Sequence, residues 1–264
     1  MKRILAGIFL CINLSGFSQL APVSDFYSQY ALAGNPAYAG SSDALDIALF
    51  YRQSMVGIEG SPKSLAMALH TPMFNEKVGL GFFILNDRTG ITSENYFIGN
   101  YSYRMDLGYG KLSMGVGFGL ISTGIAWNKL KASDPDDELL TDAYTSGVLP
   151  DFSAGLYYSS DKYFGGISLP LFLTHDYHSE TGKYALSNRF IEYNYFLNAG
   201  YHISAIPDWR FTPSFLLKYQ WGKTAQFDIN LEVLYKNRIS AGLFYRTRSI
   251  FGFTLMCRLN EQFS

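Results

Sequence analysis

Large apolar residues alternate with small or polar residues along most of the chain. In the stretch 111–120, KLSMGVGFGL, the even positions are apolar and the odd positions are Lys, Ser or Gly. The stretches 61–71, 76–86, 225–235 and 250–260 repeat this pattern. A period of two residues is typical of a β-strand whose two faces have different surroundings, so the chain is predicted to be all-β.

Twelve segments fit this description of a strand. They span residues 43–53, 61–71, 76–86, 93–105, 110–123, 150–159, 163–172, 190–204, 209–219, 225–235, 238–246 and 250–260. Most are close to the ~9–11 residues that a tilted strand needs to cross a bilayer. The second face is rich in Gly, Ala and Ser, whereas a soluble sandwich would show Lys, Glu and Thr there. This favours an antiparallel transmembrane β-barrel with lipid outside and a narrow or tightly filled interior.

The predicted connections alternate in length. Short ones lie at 72–75, 106–109, 160–162, 205–208 and 236–237, and longer ones lie at 54–60, 87–92, 128–149 and 173–189. Two later connections on the longer side, near 222–224 and 247–249, are short. Outer-membrane barrels have short periplasmic turns and longer surface loops, so the alternation predicts both the class and the orientation. We expect the sheet to close, because backbone groups in hydrocarbon need partners.

Composition and the N-terminus support export. Charged residues form 16% of the 264 residues and the net charge is -1, against about 25% charged residues in a typical soluble domain. Without a basic surface, nucleic acid is not an expected partner.

Lys2 and Arg3 precede an apolar stretch and small residues, which predicts a signal peptide at 1–18. The domains are then the signal peptide 1–18, a periplasmic or lumenal leader 19–42 and a barrel 43–264, with Cys257 as its only cysteine and no internal disulfide.

Candidate chemistry in the predicted loops is weak. His175 and His178 lie near Asp176 and Glu180, but no second ligand set completes a metal site, so a solvated loop is preferred. The acidic cluster 134–138 lacks the ligand spacing and glycine bend of a calcium loop.

The predicted strands also lack a catalytic pattern. Gly115, Gly117 and Gly119 partly imitate a nucleotide-binding motif, but they lie within a strand and no helix follows. Interior glycines would instead let another group approach closely or let the wall curve. His70 and His202 are interpreted as interior-facing residues rather than bases. We therefore predict no enzymatic activity, no cofactor and no metal. A lipid-modifying enzyme would need a nucleophile that no motif identifies.

Residues 29–72 carry the clearest family resemblance. Asn35-Pro36-Ala37-Tyr38-Ala39-Gly40 precedes the first strand, Tyr51-Arg52 lies on it, and Gly57-Ile58-Glu59-Gly60-Ser61-Pro62 follows it. Weaker collinear pieces are Gly79-Leu80-Gly81, Asn86-Asp87, Tyr101-Ser102-Tyr103-Arg104, Pro150-Asp151-Phe152, Gly165-Gly166-Ile167-Ser168 and Tyr245-Arg246. On these residues the chain resembles the PorP/SprF family of Bacteroidetes outer-membrane proteins that work in type IX secretion.

The resemblance implies a non-enzymatic function in the bacterial outer membrane. Members help to secrete or anchor a large adhesin-like surface protein, including gliding-motility adhesins, by binding its C-terminal secretion domain. The implied partners are this cargo, other type IX secretion components and membrane lipid. The family-motif residues are then candidates for partner contacts: Asn35, Pro36, Tyr38, Gly40, Tyr51, Arg52, Gly60 and Pro62.

The resemblance also implies where these parts lie. Residues 35–42 would lie at the periplasmic beginning of the first strand or fold into the lumen, and loops 128–149 and 173–189 would face cargo. The alternative function is an outer-membrane channel for uptake of a small apolar or polar solute, which the small, uncharged interior face favours.

Two departures from the family pattern are visible. Met55 stands where members usually carry tryptophan. Members usually continue for two more strands, so we expect a C-terminally truncated copy of a 14-stranded, fatty-acid-transporter-like barrel. The alternative is twelve-strand closure, with the strand near Phe251 pairing with the one near Leu45.

Overall fold

The computed structural model is built almost entirely of antiparallel strands. It describes residues 30–42, 44–55, 57–126, 145–178, 183–236, 238–247 and 250–257. The strands are β1 (Asp46–Gln53), β2 (Lys63–Met73), β3 (Val78–Thr89), β4 (Thr92–Asp106), β5 (Lys111–Ile125), β6 (Thr145–Ser159), β7 (Tyr163–Leu169), β8 (Thr174–His178), β9 (Lys183–Ser187), β10 (Asn194–Tyr201), β11 (Ile203–Ile206), β12 (Trp209–Gln220), β13 (Gln226–Tyr235), β14 (Ile239–Arg246) and β15 (Ile250–Cys257). Short 3₁₀ helices span Ala31–Ala33, Pro36–Tyr38 and Phe190–Glu192. No helix in the described part of the chain is long and apolar enough to cross a membrane.

Thirteen strands form one sheet in which neighbours along the chain are neighbours in space. The order is β1-β2-β3-β4-β5-β6-β7-β10-β12-β13-β14-β15, β11 pairs with β12, and β8 and β9 form a separate hairpin. The longest ladders are regular, as between β4 and β5, where Thr92 pairs with Ile125 and Asp106 with Lys111. The predicted all-β antiparallel fold is confirmed, and the twelve strands of the main path overlap the twelve predicted segments. Among the described residues no pairing joins β1 to β15, so the sheet is not closed here.

The connections depart from prediction at three places. The loop expected at 128–149 is too long, because β6 already begins at Thr145. The longer loop expected at 87–92 is wrong, because β3 and β4 extend to Thr89 and Thr92 and leave only Gly90 and Ile91 between them. The connection predicted as a loop at 173–189 contains the β8–β9 hairpin. The acidic cluster 134–138 and the side chains of His175 and His178 lie outside what the structure describes.

The two faces of the sheet differ as the alternation predicts. On β5, Val116 and Phe118 are 59% and 52% exposed, whereas the glycines at 115, 117 and 119 are buried. We call the face with the buried small residues the inner face and the opposite, apolar face the outer face. A broad apolar outer face is what lipid contact requires.

The hydrophobic core lies on the inner face. The N-terminal residues Tyr30, Leu32 and Ala33 pack there with Phe83, Leu85, Tyr96, Ile98 and Ile121 of β3, β4 and β5. A single sheet has no second layer to cover its inner face, and here the chain's own N-terminal segment supplies one.

Candidate functional site

Residues 30–42, called the leader below, form an ordered segment on the inner face. Asn35 caps the 3₁₀ helix Pro36–Tyr38, since its Oδ1 accepts a hydrogen bond from the Ala37 amide at 3.0 Å. Pro36 occupies the first helical position, where its missing N–H costs no hydrogen bond. Gly40 has φ of +69°, a left-handed conformation that favours glycine, and it turns the chain toward β1.

The side chain of Asn35 lies in a notch between β6 and β7. It is fully buried, and its Nδ2 donates to the Leu156 carbonyl at 3.1 Å. A Cβ on Gly155 would overlap the Asn35 side chain, and one on Gly166 would lie 2.9 Å from Asn35 Nδ2. The notch therefore exists because both wall positions are glycine.

Glycines on β3 and β5 make room for the leader backbone. A Cβ on Gly115 would overlap the backbone of Pro36 and Ala37, and one on Gly79 would overlap the Ala39 carbonyl. That carbonyl accepts a hydrogen bond from Ser102 Oγ at 2.7 Å. The glycine and serine face predicted from the sequence is thus the surface on which the leader lies.

His70 joins the leader to β2. The Gly40 amide donates to His70 Nδ1 at 3.1 Å, so Nδ1 carries no proton in this arrangement. The ring of Tyr38 packs edge-on against His70 and against Tyr157, with both centroid distances 5.2 Å. Tyr30 donates from its hydroxyl to Asp46 Oδ1 at 3.0 Å. The histidine is thus an acceptor enclosed by aromatic rings.

The four motif residues of the leader therefore lie together on the inner face. Tyr51 and Arg52, the next two motif residues, lie apart from them on β1. Tyr51 lies on the outer face, 65% exposed, and its hydroxyl donates to Gln53 Oε1 at 2.8 Å. Arg52 lies on the inner face of β1, half-buried, and its Nη2 donates to Ser64 Oγ at 3.4 Å. Neither contact involves the leader.

Gly60 and Pro62 belong to the connection between β1 and β2. The Gly60 carbonyl accepts from the Gly90 amide at 2.9 Å, and the Pro62 carbonyl accepts from the Ser54 amide at 2.9 Å. Gly60 has φ of +73°, which favours glycine. These two residues shape a connection at the opposite end of the strands from the turn 74–77.

Two groups of the leader site, Tyr157 and the Leu156 carbonyl, had no signal in the sequence, and Ser102 lay in a weak family piece that did not say what it contacts. The leader contacts Ser102, Tyr157 and the Leu156 carbonyl because these groups lie at the same level along neighbouring strands. Only strand register places them together: Ser102 pairs with Gly115, which pairs with Gly155. The alternation predicted the face of each residue, and register was the missing information.

A second polar cluster lies on the inner face of β12, β13 and β14. Asp228 accepts from Arg246 Nε and Nη2, each at 3.0 Å, and Lys218 Nζ lies 3.1 Å from its Oδ2. The side chains of Asp228 and Lys218 are both fully buried. This arrangement ties three strands together. Nowhere in the described residues do three His, Cys, Asp or Glu side chains group as metal ligands would.

The geometry of the leader site is that of an internal packing surface that holds backbone and rings. A family model described as type IX secretion system membrane protein PorP/SprF matches residues 15–264. A comparison with curated proteins finds no match. The family match spans the leader, the cluster around Asp228 and every described strand.

Proposed function

Since this chain belongs to the PorP/SprF family of type IX secretion system membrane proteins, which are proteins of the outer membrane, we propose that it helps to secrete or anchor one large surface protein. It does so by binding the C-terminal secretion domain of that adhesin-like cargo. The family match over residues 15–264 is the observation that carries this proposal. Other secretion components are its further partners, and lipid contacts its apolar outer face.

The packing of the leader supports a binding role over the alternative of solute uptake. Leu32, Asn35, Ala37 and Ala39 are almost completely buried against the inner face. Glycines give the leader this space, so the part of the small inner face that the leader covers is not open to a solute. A covered inner face suits a protein that acts through its exposed connections.

The proposed cargo surface lies at the end of the sheet opposite to the turns 74–77, 107–110 and 160–162. The connections that leave this end include the β8–β9 hairpin (Thr174–His178 and Lys183–Ser187). If the short turns are periplasmic, as in outer-membrane barrels, the hairpin faces the cell exterior, where exported cargo emerges. Cargo of the kind used in gliding motility belongs to this proposal.

The test is deletion of the gene followed by quantification of individual surface proteins. We expect one large cargo protein to disappear from the cell surface while other type IX cargo stays, with display restored by the full chain. Unchanged display of every cargo protein would contradict the proposal. Liposome-swelling assays on the purified protein separate the alternative, since solute flux through the intact protein would favour a channel.

A further inference from the structure

Asp151 is a buried carboxylate on β6. Its side chain is 3% exposed. Its Oδ1 accepts hydrogen bonds from the amides of Phe152 at 2.6 Å, Phe172 at 2.9 Å and Leu173 at 3.2 Å. The Phe172 amide also donates to the Phe152 carbonyl at 3.0 Å. Two of the three donors belong to the segment after β7, so one carboxylate oxygen fastens that segment to the wall.

This segment, residues 170–173, leads into the β8–β9 hairpin and is called its first leg, because Leu173 immediately precedes β8. Residues 188–193, which lead from β9 to β10, are called the second leg. The second leg returns through the 3₁₀ helix Phe190–Glu192 to Tyr193. The rings of Phe172 and Tyr193 pack edge-on with centroids 5.4 Å apart. Gln220 of β12 donates from Nε2 to the Glu192 carbonyl at 2.8 Å. The two legs therefore contact each other, and each is bonded to a different strand of the wall.

The first leg also reaches the core beneath the leader. Leu171 packs against the hydrophobic cluster that contains Tyr30 and Leu32 of the leader. The base of the hairpin and the leader thus share one core. The backbone at the base is held from three directions, by Asp151, by the second leg and by this core.

We propose that Asp151 is a positioning residue that holds the β8–β9 hairpin in the orientation in which it meets cargo. This inference rests on the proposed function, because it takes the C-terminal secretion domain of the cargo as the occupant of the hairpin. A hairpin with a fixed base loses less conformational freedom on binding than one on free legs, so the anchor raises affinity without touching cargo.

Two substitutions of Asp151 test whether its acceptor oxygen is what matters, because one keeps that oxygen and the other removes it. Oδ2 of Asp151 is buried and has no hydrogen-bond partner among the described residues. In Asp151→Asn, Oδ1 still accepts from the amides of Phe172 and Leu173. The new Nδ2 replaces Oδ2, which accepts no hydrogen bond in the native chain. In Asp151→Leu the side chain keeps its branched shape, although it is larger, and has no acceptor. The amides of Phe152, Phe172 and Leu173 then lose Oδ1, and Phe172 keeps the Phe152 carbonyl.

The experiment compares the native chain, Asp151→Asn and Asp151→Leu in cells that lack the native gene. Ser240→Val is the control for removing a buried polar group, since β14 pairs with neither β6, β7 nor β10. Three quantities are measured: heat-modified gel mobility for folding, the rate at which trypsin cuts after Lys183 on intact cells, and cargo at the surface. We expect Asp151→Leu to fold, to be cut about tenfold faster and to display less cargo. The tenfold figure corresponds to about one net hydrogen bond lost at the base of the hairpin, because the Phe172 amide keeps the Phe152 carbonyl. Asp151→Asn and Ser240→Val should match the native chain.

The outcomes separate this inference from the proposed function. Unchanged cleavage in a folded Asp151→Leu chain overturns the inference, and so does faster cleavage with unchanged display. In both cases the proposed function stands if gene deletion removes the cargo. If deletion leaves display intact, the proposed function fails by itself. Should Asp151→Leu not fold, Asp151→Ser takes its place, because its hydroxyl is too short to reach the segment, and the same outcomes apply.

Discussion

The Gly40 amide donates a hydrogen bond to His70 Nδ1 at 3.1 Å, which joins the last turn of the leader to the second strand of the sheet. At the other side of the leader, Asn35 is bonded to the Leu156 carbonyl. The leader thus spans the inner face from β2 to β6 and is fixed at both ends. A segment that carries the family motif is in this way a part of the folded wall.

Replacing His70 with Phe should destabilise the protein by about 1–3 kcal/mol, the cost of leaving a buried donor without its acceptor. The ring remains between Tyr30 and Tyr38, so packing changes little, but the Gly40 amide has no partner. The free energy of unfolding in urea, in lipid vesicles, measures this loss. The control is Tyr51→Phe, which removes an exposed hydrogen bond on the outer face and should be close to neutral. An equal effect of both changes would contradict the role of His70.

Replacing Gly115 with Ala should destabilise the protein by about 1–3 kcal/mol, as overpacking of a filled site does. The added Cβ would overlap the backbone of Pro36 and Ala37, which cannot move as a flexible side chain does. Gly99→Ala is the matched control: Gly99 lies on the neighbouring strand, faces outward, and its Cβ would meet only the Phe118 carbonyl at 3.9 Å. Urea unfolding of both variants tests the difference. If Gly115→Ala is as stable as Gly99→Ala, the leader does not lie on β5.

These cases show how far the sequence leads. Alternation along 111–120 correctly assigned Gly115 to the inner face and suggested that something approaches it closely. It could not say what approaches, because the partner is the leader, brought there by contacts such as Asn35 with Leu156, 121 residues apart. Period-two patterns fix the face of a residue, whereas register and packing between distant segments fix its neighbours.

Two further features escaped prediction for local reasons. The β8–β9 hairpin consists of strands of five residues, THDYH and KYALS. The first is mostly polar and the second has its apolar residues in one run, so neither shows a period of two. Asp151 lies on a strand beside Pro150, and its partners are backbone amides. Amide partners leave no pattern in a sequence. The hairpin is the connection proposed to meet cargo, and Asp151 accepts hydrogen bonds from the residues that lead into it.

The turn between β2 and β3 provides a pH-dependent contact. The Glu76 carboxylate is hydrogen-bonded by the Lys111 ammonium, and this bond together with the positive charge lowers the pKa of Glu76. The contact therefore stabilises the folded chain above the ordinary pKa of a glutamate, and the stabilisation is lost as the pH falls through the lowered value. Lys111→Gln should return the pKa of Glu76 toward its ordinary value.

Carboxyl NMR titration of Glu76 in the native chain and in Lys111→Gln measures this change. Both side chains are partly exposed, so the effect on stability is small and should disappear at high salt. Lys162→Gln, in the turn between β6 and β7, serves as the control and should leave the titration of Glu76 unchanged. An unaltered pKa in Lys111→Gln would exclude the pairing in solution.

Replacing Asp228 with Asn should destabilise the protein strongly, because Asp228 is the shared partner of two inner-face cations. Lys218 and Asp228 are fully buried and Arg246 is 12% exposed. Breaking a buried ion pair from one side typically costs about 3–5 kcal/mol, since a desolvated charge stays behind.

The double variant Lys218→Met with Asp228→Asn removes one of those charges as well, so it should be more stable than Asp228→Asn alone. Unfolding of the two single variants and the double variant gives the coupling energy between the residues. Asp161→Asn, in an exposed turn, controls for the loss of a carboxylate, and additive effects of the two buried changes would show that Lys218 and Asp228 do not stabilise each other.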